Sequence, residues 1–229
     1  MGVKLLSKLL KTECSDCVRK VHLRQLYGQK ICIDTSIYIY RYKSMDSLIE
    51  KFYLMCSIFK YYYIVPIFVF DGKPPQEKQE EINRRRENRE KAWKKYDELK
   101  MKFGNNPNKH QEKKLEALKR SVVKVRWEDI ETVKNLITSM GFKYVEAIGE
   151  ADKLCAALVR KNKVYGVLTE DMDLFAYGCP VVFRYMSLTN HTVMQYNLKD
   201  ILKKLKISLD NFQLLCVMSG TDYLSLIHI

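Results

Sequence analysis

The chain has 229 residues, 47% of them hydrophobic, and carries a formal net charge of +13. Its length and composition are typical of a globular protein with one large α/β domain or two small ones. No apolar run approaches the roughly 18 to 20 residues of a membrane-spanning helix, and MGVKLLSKLLK is too interrupted by lysine for a signal peptide, so we expect an intracellular protein without a membrane partner. The positive charge favours a polyanionic partner, nucleic acid before an anionic membrane surface.

The seven cysteines are scattered along the chain. Near the start, Cys14 and Cys17 form a C-x2-C pair, but no second pair follows at zinc-ribbon spacing. We expect a surface turn there, with a zinc site as the open alternative. Four others fall in apolar segments and are expected to be reduced core residues: Cys32, Cys56, Cys155 and Cys216.

Apolar segments predict six strands, at 30–36, 63–72, 142–147, 165–171, 181–185 and 191–197. Helical patterns fall between them, at 46–61, 128–140, 150–161, 198–205 and 209–219. Strands that alternate with helices predict an α/β fold with a mainly parallel central sheet flanked by helices.

The segment 73–126 differs from the rest in charge. It contains 18 Lys and Arg against nine Asp and Glu, so it supplies a net of +9 of the chain's +13. Good helix formers fill 76–102, FGNNPNKH interrupts the pattern at 103–110, and a second helical pattern covers 111–125. The segment predicts a projecting helical hairpin, either a merely solvated one or a basic arch that handles a phosphate backbone.

Acidic residues follow the ends of the four predicted core strands. Because ligands of an open parallel sheet gather outside the carboxyl ends of its strands, six carboxylates are expected at one edge. A seventh acid follows the last predicted helix in SGTDY. The seven are Asp34, Asp71, Glu150, Asp152, Asp171, Asp173 and Asp222.

Each acid alone has an ordinary explanation, since Asp34 or Glu150 can serve a helix start and Asp71 can make a turn. Together, six or seven carboxylates cannot all stay ionised without cations. Hard oxygen ligands suit Mg²⁺ or Mn²⁺, and two such ions about 3.5–4 Å apart are a common device for phosphodiester cleavage. We therefore expect two Mg²⁺ or Mn²⁺ ions in one site.

Positive and aromatic side chains lie at useful positions around these acids. Lys78 and Arg85, seven residues apart, are expected on one helix face, where they could stabilise a phosphate transition state. Tyr40 could stack on a base, although a plain core or surface tyrosine is the alternative. Glu170, next to Asp171, should point away from the site and pair with a lysine.

These segments resemble the flap endonuclease/XPG family of structure-dependent 5′ nucleases. The resemblance runs from MGVKLL through IDTSIYIY, VFDGKPPQEK and GEADKLCAALVRKNKVYGVLTEDMDLFAYG to SGTDY. The order and spacing of FDGKPP, the GEA helix start, TEDMD and G-T-D-Y make it specific.

The resemblance implies a 5′ nuclease fold of the PIN-like type with a helical arch. It implies that the seven acids hold the metal ions, that Lys78 and Arg85 are the catalytic basic pair, and that Tyr40 stacks on a base. It further implies nucleic-acid contacts from the residues Gly2, Arg84, Arg86 and Arg89. The expected substrate is branched or 5′-flap DNA, in replication and repair, in a nucleus or at a viral or cytoplasmic replication site.

The chain also departs from the family pattern. Asp152 stands where many members have a glutamate, and only seven residues follow Asp222, where members continue into a duplex-gripping helix-two-turn-helix. The last six residues, LSLIHI, match a reading frame of a sequencing adapter. We therefore expect a non-native tail at 224–229 and weak or no activity for the chain as it stands.

The expected organisation is an N-terminal part of the nuclease domain at 1–72, the basic arch at 73–126 and the remaining part at 127–223. We expect a metal-dependent 5′ flap endonuclease or 5′–3′ exonuclease that acts as a monomer. A sliding clamp is a possible partner of a longer protein, although its binding motif is absent here. The alternatives are a nuclease directed at RNA and a binding module without catalysis.

Overall fold

Seven strands and ten α-helices make up the described part of this computed structural model, which comprises residue 3, residues 5–104 and residues 108–220. The strands are β1 (Val18–His22), β2 (Lys30–Asp34), β3 (Val65–Phe70), β4 (Lys143–Glu146), β5 (Gly166–Leu168), β6 (Val181–Ser187) and β7 (Thr192–Asn197). The helices are α1 (Leu6–Glu13), α2 (Thr35–Lys43), α3 (Leu48–Tyr61), α4 (Gln79–Phe103), α5 (Lys109–Ser121), α6 (Trp127–Ser139), α7 (Ala151–Arg160), α8 (Asp173–Ala176), α9 (Leu198–Leu205) and α10 (Leu209–Met218).

All seven strands join one sheet in the order β1-β7-β6-β5-β2-β3-β4. The five strands from β6 to β4 in that order run parallel. Only the β1–β7 and β6–β7 pairs are antiparallel within the described residues. The predicted α/β class with a mainly parallel sheet is confirmed.

Helices cover both faces of the sheet, and each face has its own core cluster. On one face, Cys32 and Val167 pack with α1, α7, α8, α9 and α10. On the other, Ile33 and Phe68 pack with α2, α3 and α6. Successive strand residues point to opposite faces, so both faces of a doubly covered sheet need apolar side chains. This explains the nearly continuous apolar runs of the predicted strands.

All six predicted strands are present, but three of them end at least two residues earlier than the sequence suggests. The strand predicted at 30–36 stops at Asp34, and α2 begins at Thr35, where no helix was predicted. The predicted strand overlapped only the first two residues of α2, and no element was predicted for the rest of that helix. The strands predicted at 63–72 and 165–171 likewise end at Phe70 and Leu168. Helix α1 and strand β1 were also missed.

The basic segment forms the predicted hairpin of two helices, α4 and α5. The second helix starts earlier and ends earlier than predicted. Asn108 accepts hydrogen bonds from the backbone N–H groups of His110 and Gln111, and the Gln111 side chain accepts one from the Asn108 N–H. This capping box fixes the start of α5 at Lys109.

The seven cysteines are all reduced. Cys32, Cys56, Cys155 and Cys216 are buried, which confirms the prediction for these four. The predicted turn is present as the 3₁₀ turn Ser15–Cys17, in which Ser15 and Asp16 are exposed. Cys14 itself is not at the surface, because it is fully buried beside Leu6 and Leu10 of α1. In the described ranges, no group of three Cys, His, Asp or Glu side chains forms a metal site around this pair.

Each helix of the described part of the chain falls short of the length or apolarity that a bilayer crossing needs.

Gly72 holds together the two loops that follow β3 and β4. Its N–H donates to the Gly149 carbonyl at 2.7 Å. A Cβ at Gly72 would lie 1.9 Å from the Ala147 oxygen and 2.8 Å from the Ile148 oxygen. The segments after both strands can approach this closely only because residue 72 has no side chain.

We expect Gly72→Ala to lower the free energy of unfolding by about 3 kcal/mol, because backbone atoms must move to admit the methyl group. Urea denaturation measures the loss. Gly149→Ala is the matched control, since a Cβ there meets nothing within 4 Å. Equal losses in the two variants would contradict this role for Gly72.

Candidate active site at the carboxyl ends of the strands

Six of the seven predicted acids surround the carboxyl ends of β2, β3, β4 and β5. Asp34 is the last residue of β2, and Asp71 directly follows β3. The other four belong to the loop and helix starts after β4 and β5: Glu150, Asp152, Asp171 and Asp173. The parallel register places these strand ends side by side, as the sequence predicts.

A hydrogen-bonded series links the acids that follow β2 and β5. The Thr169 hydroxyl donates to Asp34 Oδ2 at 2.7 Å and accepts from the Asp171 N–H at 3.0 Å. The Asp171 carboxylate in turn accepts from the Asp173 N–H at 3.1 Å. The turn between β5 and α8 thus fixes both aspartates, and Thr169 is a site residue that the sequence analysis missed.

Asp71 joins this edge to helix α7. Its Oδ1 accepts from the Ala151 N–H at 2.8 Å. That N–H belongs to the first turn of α7, whose amide dipoles favour a negative charge. The bond anchors the helix start from which Asp152 projects, so Asp71 orients a neighbouring acid as well as offering its own second oxygen.

Two other acids stand at helix starts. Asp34 precedes α2 and Glu150 precedes α7, but neither side chain makes a capping hydrogen bond. Both acids nevertheless occupy the N-cap positions of their helices, so the ordinary explanation for their placement at a helix start stands beside the metal-site explanation.

Burial and like charges raise the pKa of two carboxyl groups in the cluster. The pKa of the Asp34 carboxyl rises to about 7, mainly because the group is buried. The hydrogen bond from Thr169 lowers this pKa, and the charges of Asp71 and Asp171 raise it further. The pKa of Asp152 is also raised, first by burial and then by the charges of Asp34, Asp171, Asp71 and Asp173. These mutual effects show that the five aspartates share one electrostatic site.

Two enclosed carboxylate oxygens in this site lack a hydrogen-bond donor from the described residues. They are Glu150 Oε2 and Asp152 Oδ1. Asp152 as a whole is only half-buried, but this oxygen is shielded from water. Buried polar atoms are normally satisfied, so the two oxygens fit a cation, and an all-oxygen set fits a hard one. Among the described residues, no group of three His, Cys, Asp or Glu side chains is arranged closely enough to hold one metal ion.

The base of the helical hairpin contacts this acidic edge. Lys78 forms an ion pair with Glu150 Oε1. It lies in a 3₁₀ turn before α4, so Lys78 and Arg85 do not share one continuous α-helix as predicted. Arg85 donates from Nε to Glu81 at 2.8 Å. Lys78 therefore lies where the hairpin meets the acidic edge, and Arg85 follows on α4 beside Glu81.

The three further arginines predicted to contact nucleic acid lie on α4. Arg84 pairs with Glu81 at 2.6 Å and Arg86 pairs with Glu90 at 3.2 Å. Arg89 donates to the Arg85 carbonyl at 3.4 Å. The Arg84 and Arg86 side chains are mostly exposed. The Arg86–Glu90 pair is exposed on both sides and therefore weak, whereas Glu81 is buried.

Tyr40 is 48% exposed and lines a cavity of about 410 Å³ that Asp71 also lines. Trp127 and Lys134 face the same cavity. Lys134 is held by Glu131 and Glu146, each at 2.7 Å. The plain core alternative for Tyr40 is wrong. Trp127 was not predicted to line this cavity, because it precedes the apolar pattern of α6.

Glu170 points away from the carboxylate cluster, as predicted, but its partner is not a lysine. It pairs with Arg41 at 3.1 Å and accepts from the Tyr185 N–H at 3.0 Å. Arg184 donates to the Glu170 carbonyl at 2.8 Å.

The predicted site residues Gly2 and Asp222 lie outside the described residues. The chain is described up to Gly220, just beyond α10. The Gln213 side chain of α10 donates to the Ala176 carbonyl of α8 at 2.7 Å. This contact packs the first half of α10 against α8, the helix that begins with Asp173.

Two family profiles match the chain: the XPG N-terminal domain over residues 1–92 and the XPG I-region over residues 141–222. The chain is 31% identical to flap endonuclease 1 of Bos taurus over 242 residues and 34% identical to that of Entamoeba dispar over 243 residues. Each alignment covers 97% of this chain and 62% of the relative. The chain therefore spans about three fifths of the length of the curated relatives it matches.

Solved structures show the same architecture. The catalytic core of Rad2 in complex with DNA substrate has a TM-score of 0.72 and 27% identity, over 97% of this chain and 63% of that chain. Flap endonuclease-1 from Methanococcus jannaschii has a TM-score of 0.63 and 26% identity, over 97% and 71% of the two chains. The sequence relatives and the structural neighbours thus indicate the same nuclease fold.

Asp152→Asn tests the electrostatic crowding. In EDTA at pH 8, we expect the substitution to raise the free energy of unfolding by about 1 kcal/mol, because it removes a buried charge that four aspartates oppose. The sign follows from the raised pKa: the ionised carboxylate is less stable in the folded chain than in the unfolded one.

The matched control is Asp46→Asn, which removes an exposed aspartate paired with Lys119 at 2.6 Å. Thermal or urea denaturation should show no gain in stability for that variant. A loss of stability in Asp152→Asn would contradict the crowding of charges at this edge.

Proposed function

Because this chain belongs to the flap endonuclease/XPG family of nucleases, we propose that its protein is a divalent-metal-dependent 5′ flap endonuclease or 5′–3′ exonuclease. Its substrate is branched or 5′-flap DNA, whose phosphodiester bonds it hydrolyses. The observation that carries the proposal is the cluster of strand-end carboxylates with enclosed, unsatisfied oxygens beside a basic hairpin.

The metal ligands are the six described acids of the edge, completed by Asp222. We propose two Mg²⁺ or Mn²⁺ ions, since oxygen-only ligands select hard cations. Bound metal supplies an activated water and neutralises charge on the phosphate. The relatives support a metal, because one structural neighbour, the resolving enzyme GEN1, is described in complex with product DNA, Mg²⁺ and Mn²⁺.

The chain's own residues orient these ligands. Thr169 fixes the Asp34 carboxylate, and the Asp71 contact with the Ala151 N–H fixes the start of α7. Lys78 and Arg85 are the proposed catalytic cations. Lys78 pairs with Glu150 at the acidic edge, Arg85 follows on α4, and positive charge there can stabilise negative charge on the phosphate.

The substrate is held by residues around this edge. Tyr40 stacks on a base near the cut, and Arg84, Arg86 and Arg89 contact phosphates. Gly2 belongs to the same proposed interface. The DNA substrate in the related Rad2 complex supports this interface.

In this proposal, residues 1–72 and 127–223 form the nuclease domain, residues 73–126 form the arch and residues 224–229 are a non-native tail. The protein acts as a monomer in the nucleus or at a viral or cytoplasmic replication site.

The proposal is tested with a labelled 5′-flap substrate and Mg²⁺, using the protein that contains this chain. We expect cleavage near the junction, and a loss of about 100-fold or more in rate for Asp171→Asn, as for the removal of one preorganised electrostatic contact. Binding, measured by anisotropy in EDTA, should persist in the variant and weaken steeply with salt.

Three outcomes separate this function from the alternatives. Cleavage that Asp171→Asn abolishes without loss of binding supports the proposed nuclease. Binding without cleavage by the parent protein would identify a non-catalytic binding module. Preferential cleavage of an RNA flap of the same sequence would identify an RNA-directed nuclease.

A further inference from the structure

Arg184 of β6 is a cation buried within the domain, with only 5% of its surface exposed. Its guanidinium donates to two groups that carry no formal charge. Nη1 donates to Met172 Sδ at 2.7 Å, and Nη2 donates to the Glu170 carbonyl at 2.8 Å. Burying a cation without a carboxylate partner is costly, so the two groups that it binds should account for its position.

Both of these groups belong to the short loop between β5 and α8. Glu170 precedes Asp171, and Met172 lies between Asp171 and Asp173. The guanidinium therefore holds the residues on both sides of Asp171. This loop supplies two of the carboxylates at the strand ends.

The orientation of the guanidinium is fixed by two aromatic rings. Its Cζ atom lies 4.6 Å from the centroid of the Tyr185 ring and 5.9 Å from that of the Tyr196 ring. The planar guanidinium donates in two set directions at once, which a lysine ammonium cannot copy. Arg184 Nε is enclosed and has no acceptor among the described residues, so the two contacts with the loop compensate its burial.

Strand β6 holds the same loop through a second contact. The Tyr185 N–H donates to Glu170 Oε1 at 3.0 Å, and Arg41 pairs with the same oxygen at 3.1 Å. The backbone and the side chain of Glu170 are thus both bound by β6. Because β6 lies between β5 and β7 inside the sheet, it is a firm support for the loop.

We propose that Arg184 is a positioning residue that holds the loop at 170–173 in the geometry in which Asp171 and Asp173 bind metal ions. The inference rests on the proposed function, because it assigns a support to two of the proposed ligands. Residues that orient metal ligands without touching the metal commonly affect its affinity by roughly 10–100-fold.

Amide hydrogen exchange in EDTA tests this role without any metal. The Asp171 N–H donates to the Thr169 hydroxyl and the Asp173 N–H donates to the Asp171 carboxylate, so both amides report on the loop. Arg184→Met keeps an unbranched apolar chain and removes both donors. We expect the two amides to exchange about tenfold faster, since the lost bonds come from a charged donor. Unchanged exchange at both amides would overturn the proposal.

The matched control is Arg160→Met, which removes an arginine near the far end of α8. Arg160 donates only to the Tyr177 carbonyl among the printed side-chain contacts of the described residues, at 3.4 Å. This variant should leave exchange at Asp171 and Asp173 unchanged. A merely structural role for Arg184 would speed exchange throughout the sheet, for example at Ile33 of β2. Equal acceleration at Ile33 and in the loop would therefore contradict a positioning role.

Two milder variants serve if Arg184→Met does not fold. Arg184→Lys keeps the charge but cannot make both bonds, and Met172→Leu keeps the volume but removes the sulfur acceptor. Both should speed exchange at Asp171 and Asp173, by less than the loss of both donors. Exchange as slow as in the parent protein in Arg184→Lys would show that the charge alone suffices and would overturn the proposal.

The affinity for Mn²⁺ provides a second readout whose sign is informative. Loss of a positive charge by itself favours a bound cation, whereas loss of the loop geometry weakens its binding. We expect Arg184→Met to bind Mn²⁺ about tenfold more weakly, measured by electron paramagnetic resonance. Arg160→Met, which loses the same charge, should not weaken binding. Unchanged or tighter binding by Arg184→Met would overturn the positioning role.

Failure of the inference can be told from failure of the proposed function. Faster loop exchange in Arg184→Met, in a protein that does not cleave a 5′ flap, supports the role of Arg184 and contradicts the nuclease. Flap cleavage by the parent protein, with unchanged loop exchange in Arg184→Met, supports the nuclease and overturns the role of Arg184.

Discussion

The like charges gathered at one edge of the sheet are the constraint on which the rest of the site depends. Five aspartates act on one another electrostatically there, and burial raises the pKa of Asp34 and Asp152. Such a cluster opposes folding unless hydrogen bonds, basic side chains or cations compensate it. The fold supplies the first two through Thr169, the α7 amides and Lys78. The enclosed oxygens of Glu150 and Asp152 are left to a cation.

The sheet brings the acids together, and the hairpin supplies positive charge beside them. The parallel strands end together, so acids far apart in sequence meet without any single segment holding them all. The hairpin brings positive charge from a segment that carries a net of +9. Its base contacts the acids through Lys78, and a cleft in the hairpin carries exposed cations and Trp93 away from them. The exposed cations that attract a polyanion therefore lie apart from the acids that repel it.

Much of the fold and of the acidic site could be predicted from the sequence because both follow from local patterns. Apolar runs gave the parallel strands, and acids at strand ends gave the edge where Asp34, Asp71 and Asp171 meet. What the sequence did not indicate depends on tertiary contacts. Thr169 becomes a site residue only when β5 lies beside β2. Trp127 becomes a cavity wall only when α6 packs near Asp71.

The measurement that tests the account most directly is the binding of Mn²⁺ by this chain, followed by calorimetry or electron paramagnetic resonance. The account predicts two Mn²⁺ ions per chain, with binding weakened by Asp171→Asn and unchanged by Asp46→Asn at the exposed pair with Lys119. Mn²⁺ binding that Asp46→Asn and Asp171→Asn affect equally, or that is absent from the chain, would contradict the assignment of the strand-end carboxylates as a metal site.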